Sequence, residues 1–215
     1  MQTTELTHYE QALSKFVQGL QQTDAAHDIS HIRRVVKTAK QLAIKESAEF
    51  AIVVPAAWLH DCVSFPKNHP ERAMASRFAA DKAIGFLTSI DYPERFFEAI
   101  HHAILAHSYS AGVTPESLEA KVIQDADRLD ALGAIGVARC MQVSGALNRA
   151  LYDPEDPFCL AHEPDDNQFT IDHFYNKLFR LKTSLHTVAA QQEAEKREMF
   201  MRSFLTQLAD EIEAS

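Results

Sequence analysis

The sequence predicts an all-α protein: a helical bundle with a C-terminal helical extension and a long insertion near residues 150–170. Three observations predict it. Apolar residues recur at helical spacing along nearly the whole chain. Six glycines and eight prolines in 215 residues are too few for the many tight turns of a hairpin-rich sheet protein. All the prolines except Pro55 fall at the edges of the periodic stretches or between them, where chain-breaking residues belong.

Taken in order, residues 5–20 place Leu13, Phe16, Val17 and Leu20 on one helical stripe. Beyond the junction at 24–28, a second helix carries Ile32, Val35, Val36, Ala39, Leu42 and Ala43 at i, i+3, i+4, i+7 spacing. Residues 48–62 are apolar nearly all round, the pattern of a helix at the centre of a bundle. The stretch 63–70, VSFPKNHP, is a loop. A helix follows over about 71–87, and Pro93 stands near the start of another that runs to about 106. SYSAGVTPES is a loop from which Pro115 opens a helix to about 143. Residues 152–168 gather Asp, Glu and three prolines into a surface excursion. The last two helices span about 170–182 and 186–213, the second striped by Phe200, Phe204, Leu205, Leu208 and Ile212. There is no internal repeat, so the expectation is one domain over 1–215, its core at about 24–143, with the helices of 170–213 packed on it.

Hydrophobic residues make up 46% and charged residues 24%, an ordinary globular composition in a chain long enough to bury a core without cross-links. The net charge of −9 argues against general nucleic-acid binding, which needs basic surface to displace counterions. A small anionic substrate remains compatible, because a local basic cluster can act within an acidic protein. The three cysteines, Cys62, Cys140 and Cys159, are far apart, as free thiols of a reducing compartment would be. The polar N-terminus does not resemble a signal peptide. The longest apolar run, 50–59, is shorter than the roughly 20 residues that cross a bilayer. The expectation is a cytoplasmic protein with no membrane partner.

The apolar helix AIVVPAAWLHDC ends on His60-Asp61. Burying an imidazole and a carboxylate costs several kcal/mol unless they are paired or ligate a metal; taken alone, a mutually hydrogen-bonded pair explains the dipeptide equally well. HDISH puts His27 and His31 on one face of a helix start. VIQDADRLDALG puts Asp125, Asp127 and Asp130 in an otherwise apolar helix, with Asp127 and Asp130 at i, i+3. Two carboxylates on such a face repel unless a cation or donor lies between them, a part that Arg128 and other basic groups could play on a solvated face. His101, His102 and His107 form a further cluster. His102 and His107 point about 140° apart on a helix, so both reach one site only if the helix ends between them.

In order, these segments read H…HD…D. Together with HDISHIRRV, AAWLHDCVSFPKNHPERA, HHAILAHSYS, QDADRLDALGAIGVAR and HFYNKLFRL, they resemble the HD superfamily of metal-dependent phosphohydrolases, over nearly the whole chain and most specifically its bacterial YedJ-type subgroup. The resemblance implies His31, His60, Asp61 and Asp127 as metal ligands, Asp127 being the aspartate of the family's Ala-Asp-(basic)-Leu pattern. His27 is then an outer partner of a ligand or simply a helix-start residue. Mixed imidazole and carboxylate donors suit Mn²⁺, Fe²⁺, Zn²⁺ or Ni²⁺, and Mg²⁺ less well. Lys67, His69 and Arg72, close behind the dipeptide, suit phosphate unless they form a plain solvated loop. His102 and His107 are read as substrate contacts, with a second metal as the alternative. Arg128, Arg139 and Lys177 are further phosphate candidates, and His173 shares a helix face with Lys177.

Many superfamily members that act on signalling nucleotides carry an acidic pair shortly after the dipeptide. Here that place reads Val63-Ser64-Phe65, which leaves Asp130 as the candidate acid-base group. The implied activity is hydrolysis of a small phosphorylated substrate, a nucleoside triphosphate cleaved to monophosphate and pyrophosphate. A 5′-nucleotidase or phosphodiesterase is the near alternative. A di-iron oxygenase or a non-catalytic nucleotide-binding module are the distant ones. Oligomeric state is not legible.

Overall fold

The computed structural model describes residues 3–20, 29–65, 69–108 and 111–213. The architecture is all-α, with no strand among the described residues beyond an isolated bridge between Ala150 and Phe169. None of the described helices is long and apolar enough to cross a membrane. The chain forms two compact units, residues 1–127 and 128–215.

The first unit contains α1 (Thr3–Gln18), α2 (Ile29–Glu46), α3 (Phe50–Leu59), α4 (Ala75–Ser89), α5 (Phe97–His107) and most of α6 (Leu118–Leu129). Short 3₁₀ turns, Arg72–Met74 and Glu94–Phe96, lead into α4 and α5. The central element is α3, which packs against α1, α2 and α5 and buries Ala51 and every residue from Val53 to Leu59. Its all-round apolar sequence is the cause: a helix with no polar face has no side to give to water. Glu49 caps its start, accepting the Ala51 N–H at 3.1 Å.

Pro55 lies inside α3. It offers no N–H to the carbonyl four residues back, which is that of Ala51. The buried Tyr92 hydroxyl donates to that carbonyl instead, at 2.6 Å. A remote side chain thus satisfies the group the proline orphans, and α3 continues unbroken to the functional dipeptide.

The second unit begins with the end of α6, then α7 (Gly133–Ala146), a helical stretch of three short pieces including α8 (Phe179–Leu181), and α9 (Val188–Glu213), which packs against α7. The helix expected from Pro115 to about 143 is in fact two helices, α6 and α7, and Asp130 lies in the break between them. The cause is conformational and tertiary. Gly133 adopts φ +71, a left-handed conformation that side-chain-bearing residues avoid. Arg197 of α9 donates to the carbonyl of Leu129 at 2.6 Å, capping the chain where α6 stops. Gly136 then allows the first turn of α7 to sit on the Ala131 carbonyl, where a Cβ would approach to 2.2 Å. The excursion lies where predicted, as turns between Ala150 and Thr170.

Candidate metal centre

Four elements of the first unit supply the centre. His31 stands in the first turns of α2 and is buried with that helix's apolar stripe. His60 caps the C-terminus of α3, and Asp61 follows it. His107 is the last residue of α5, and Asp127 lies near the end of α6. Gln124 ties α6 to α5 by donating to the Ala106 carbonyl at 2.6 Å. Glu119 reaches back to accept the N–H of Glu49 at the start of α3, at 3.0 Å.

His60 is fully buried. Its Nδ1 lies 2.8 Å from the Ala57 carbonyl, three residues back, so Nδ1 carries the proton and Nε2 the lone pair. That Nε2 is buried and has no hydrogen-bond partner in the structure. It lies 3.6 Å from Asp61 Oδ2. His107 repeats the arrangement: its Nδ1 is 2.6 Å from the Ile104 carbonyl, and its Nε2 is 3.5 Å from Asp61 Oδ1. In both cases an imidazole at a helix end folds back on a free carbonyl and turns its second nitrogen to the same carboxylate. His31 Nε2 closes the cluster, 3.7 Å from Asp61 Oδ2 and 3.4 Å from Asp127 Oδ1.

The donor atoms of His31, His60 and Asp127 lie within 4.8 Å of one another, as do those of His60, Asp61 and His107. Ligands bound at about 2.0–2.2 Å to one ion stand roughly 3–3.5 Å apart, so the separations fit a shared cation. The electrostatics agree. Burial lowers the His60 pKa, keeping it neutral and able to donate its lone pair. For His107, burial works the same way but the Asp61 carboxylate outweighs it and raises the pKa. Burial would raise the Asp127 pKa, but His31 and the other imidazoles hold it well below the usual carboxylate range.

Other site candidates fall elsewhere. Asp125 is fully buried and belongs to neither cluster. Helix α5 does not end between His102 and His107, and the two part as their spacing requires: His102 accepts the N–H of Glu116 at 3.1 Å. His69 stacks on Phe65, ring centroids 4.3 Å apart, and accepts the N–H of Glu71. Arg72 opens the 3₁₀ turn before α4. Lys67, His27 and Asp28 lie outside the described residues.

In the second unit Asp130 is ion-paired with Arg139 at 2.7 Å, and Arg128 donates to the Ser184 carbonyl. His173 is bonded to Asp166 at 2.6 Å, and Lys177 is exposed. One cluster escaped sequence reasoning. Cys159, His162 and Asp172 gather their donor atoms within 4.8 Å, and the Cys-x-x-His spacing within the excursion was the available signal.

A bundle whose helix ends converge His31, His60-Asp61 and Asp127 defines a class, the HD-type metal-dependent phosphohydrolases, and the chain belongs to the HD-domain family, whose model matches residues 28–132. An HD-superfamily hydrolase from Bacillus thuringiensis is 37% identical, with a TM-score of 0.76 covering 97% of this chain and 99% of that one. The Bacillus subtilis protein YpgQ is 32% identical over 208 residues, 97% of this chain and 95% of that protein. The structure of YpgQ in complex with ADP has a TM-score of 0.73 at 30% identity, covering 95% of each chain.

Proposed function

We propose that the enzyme hydrolyses a nucleotide phosphoanhydride, a nucleoside triphosphate to monophosphate and pyrophosphate, with a divalent cation held by His31, His60, Asp61 and Asp127. The observation that carries this is the His60 imidazole: buried, locked in one tautomer, its lone pair unpartnered and turned toward Asp61. A buried acceptor without a donor is costly, and a cation is the partner that fits beside the Asp61 and Asp127 carboxylates. The nitrogen and oxygen donors favour Mn²⁺, Fe²⁺, Zn²⁺ or Ni²⁺ over Mg²⁺. When bound, such an ion lowers the pKa of water and polarises a phosphoryl oxygen.

The protein's part is to hold charge and position. His31 and His60 stay neutral as ligands, while Asp61 and Asp127 offset the cation's charge. His107, turned to the far oxygen of Asp61, is assigned to the substrate phosphate. Lys67, His69 and Arg72 are assigned to the phosphate chain, where cationic donors stabilise developing charge. The nucleotide reading is supported by the ADP complex of YpgQ. For Asp130 as proton carrier, and for His102, Arg128, Arg139 and Lys177 as phosphate contacts, the reading rests on the sequence alone. A cytosolic workplace fits the three free thiols.

The test is a panel of nucleoside tri-, di- and monophosphates, phosphomonoesters and phosphodiesters, each with Mn²⁺, Fe²⁺, Zn²⁺, Ni²⁺ or Mg²⁺. Pyrophosphate and monophosphate in equal amounts from a triphosphate are expected. Inorganic phosphate from monophosphates, with triphosphates untouched, would replace this reading with a 5′-nucleotidase.

A further inference from the structure

We propose that the excursion between Ala150 and Asp172 carries a second metal site, in which Cys159, His162 and Asp172 bind a borderline cation of the Zn²⁺ class. None of its donors belongs to the HD centre.

The geometry is that of a prepared site. Asp156 accepts the backbone N–H groups of Leu160 at 2.9 Å, Ala161 at 2.7 Å and His162 at 3.0 Å. It thereby winds the chain so that Cys159 and His162 come together. The same carboxylate takes His162 Nδ1 at 2.8 Å. Carboxylate on one nitrogen and metal on the other is the usual way a ligating histidine is oriented. The other nitrogen, Nε2, is bonded to Asp172 Oδ2 at 2.9 Å, close to the separation of two ligands on one ion.

Asp172 adds an independent sign. Its side chain is wholly buried, Oδ2 also accepts the Asp165 N–H at 2.7 Å, and Oδ1 has no hydrogen-bond partner. A buried carboxylate oxygen without a hydrogen bond, beside the Cys159 thiol, suits a cation shared with that sulfur. Cys159 sits at φ 53, a conformation that a cysteine adopts at a cost. A ligand bond to Sγ would repay it.

Without metal, protons hold the same place. His162 lies between the Asp172 and Asp156 carboxylates, which raise its pKa. The Cys159 thiol is pushed up to about 12, by burial first and then by Asp172. From the imidazolium form of His162, a divalent cation replaces the thiol proton and the Nε2 proton, both of which leave to solvent. The local charge is unchanged and the site closes without an unbalanced group. Thiolate, imidazole and carboxylate together suit Zn²⁺, and equally its spectroscopic substitute Co²⁺.

The sulfur ligand gives the test its selectivity, because the HD centre has none. The full-length chain, stripped of metal, is titrated with Co²⁺ while thiolate-to-metal charge transfer is followed in the near ultraviolet. The wild type should show the band, and His60→Ala should keep it while losing the cobalt of the HD centre. Cys159→Ser should lose the band, and His162→Gln should need at least tenfold more Co²⁺ to reach it. Circular dichroism verifies the fold of each variant, and His162→Gln decides the matter if Cys159→Ser is misfolded. No band in the wild type, a band that survives Cys159→Ser, or a band lost in His60→Ala would each overturn the site.

Discussion

At the scale of single residues, the proposed centre depends on which nitrogen of an imidazole carries a proton. The Ala57 and Ile104 carbonyls orient His60 and His107, so the direction of each Nε2 is set before any ligand arrives. His60→Ala should abolish metal uptake by the HD centre and the stability that metal confers. A ligand at 100 times its Kd adds about 2.7 kcal/mol, so thermal melts with and without metal measure the loss directly. Full occupancy of the centre in His60→Ala would refute the ligand assignment. Asp127 faces His31 and Asp125 does not belong to the cluster, so Asp127→Ala should be metal-free and Asp125→Ala should bind metal. Arg72→Ala and Lys67→Ala should leave metal content unchanged. Each lost charge-assisted contact is worth roughly 1.5–3 kcal/mol, or about ten- to a hundredfold in kcat/KM on a triphosphate. Equal losses on a chromogenic diester would show that the loop shapes the centre and does not read the phosphate chain.

At the scale of elements, two helices depend on partners remote in sequence. Tyr92→Phe removes the hydroxyl that satisfies Ala51 and should cost about 1–3 kcal/mol in urea unfolding. Adding Pro55→Ala to that variant restores an N–H to the same carbonyl and should recover part of the loss; a double variant no better than the single would show that α3 does not feel the gap. In the α6–α7 break, Gly133→Ala meets an unfavourable φ and the flexible Arg197 stem at 3.1 Å, an expected cost of about 1–3 kcal/mol. Gly136→Ala drives a Cβ into backbone and should cost more. Further on, burial lowers the His173 pKa, while Asp166 is held low by His173 and Asn176 against its own burial. Both shifts have one sign for stability. The unfolded chain takes up more protons than the folded one, so stability falls as pH drops below 6.5 through His173, and again below 3.8 through Asp166. Urea midpoints between pH 7.5 and pH 3 should fall less steeply in His173→Gln than in the wild type.

At the scale of the molecule, the proposed ligands of the HD centre all lie within residues 1–127, on the ends of α2, α3 and α6. Loss of the HD-centre metal should therefore loosen the first unit around these ligands. Amide exchange after chelation should rise around 31, 59–62 and 124–127, and around 156–172 where the second site is proposed, and stay constant in α9; a uniform rise along the chain would count against confined centres. The all-α class was legible because helical periodicity is a local property, repeated in each stretch. The dipeptide was legible for a related reason: two ionisable residues ending ten buried or half-buried positions need a partner, whatever the partner is.

The sequence by itself determined the all-α class, the order of most helices and the residues around which a metal reading had to be built. His31, His60-Asp61 and Asp127 could be named from the sequence, the last through the Ala-Asp-(basic)-Leu pattern of the resemblance. Only the tertiary structure decided among neighbours. It set Asp127 against His31, and gave His107 and His102 different partners. It ended α6 before Asp130, which it paired with Arg139. It kept α3 whole across Pro55 through Tyr92, and gathered Cys159, His162 and Asp172 from a stretch that reads as surface. The physical reason is common to all of them. Periodicity records which face of a segment is buried, whereas a cap, a carbonyl's donor or a ligand's neighbour is supplied by a residue tens of positions away, and its arrival is set by packing.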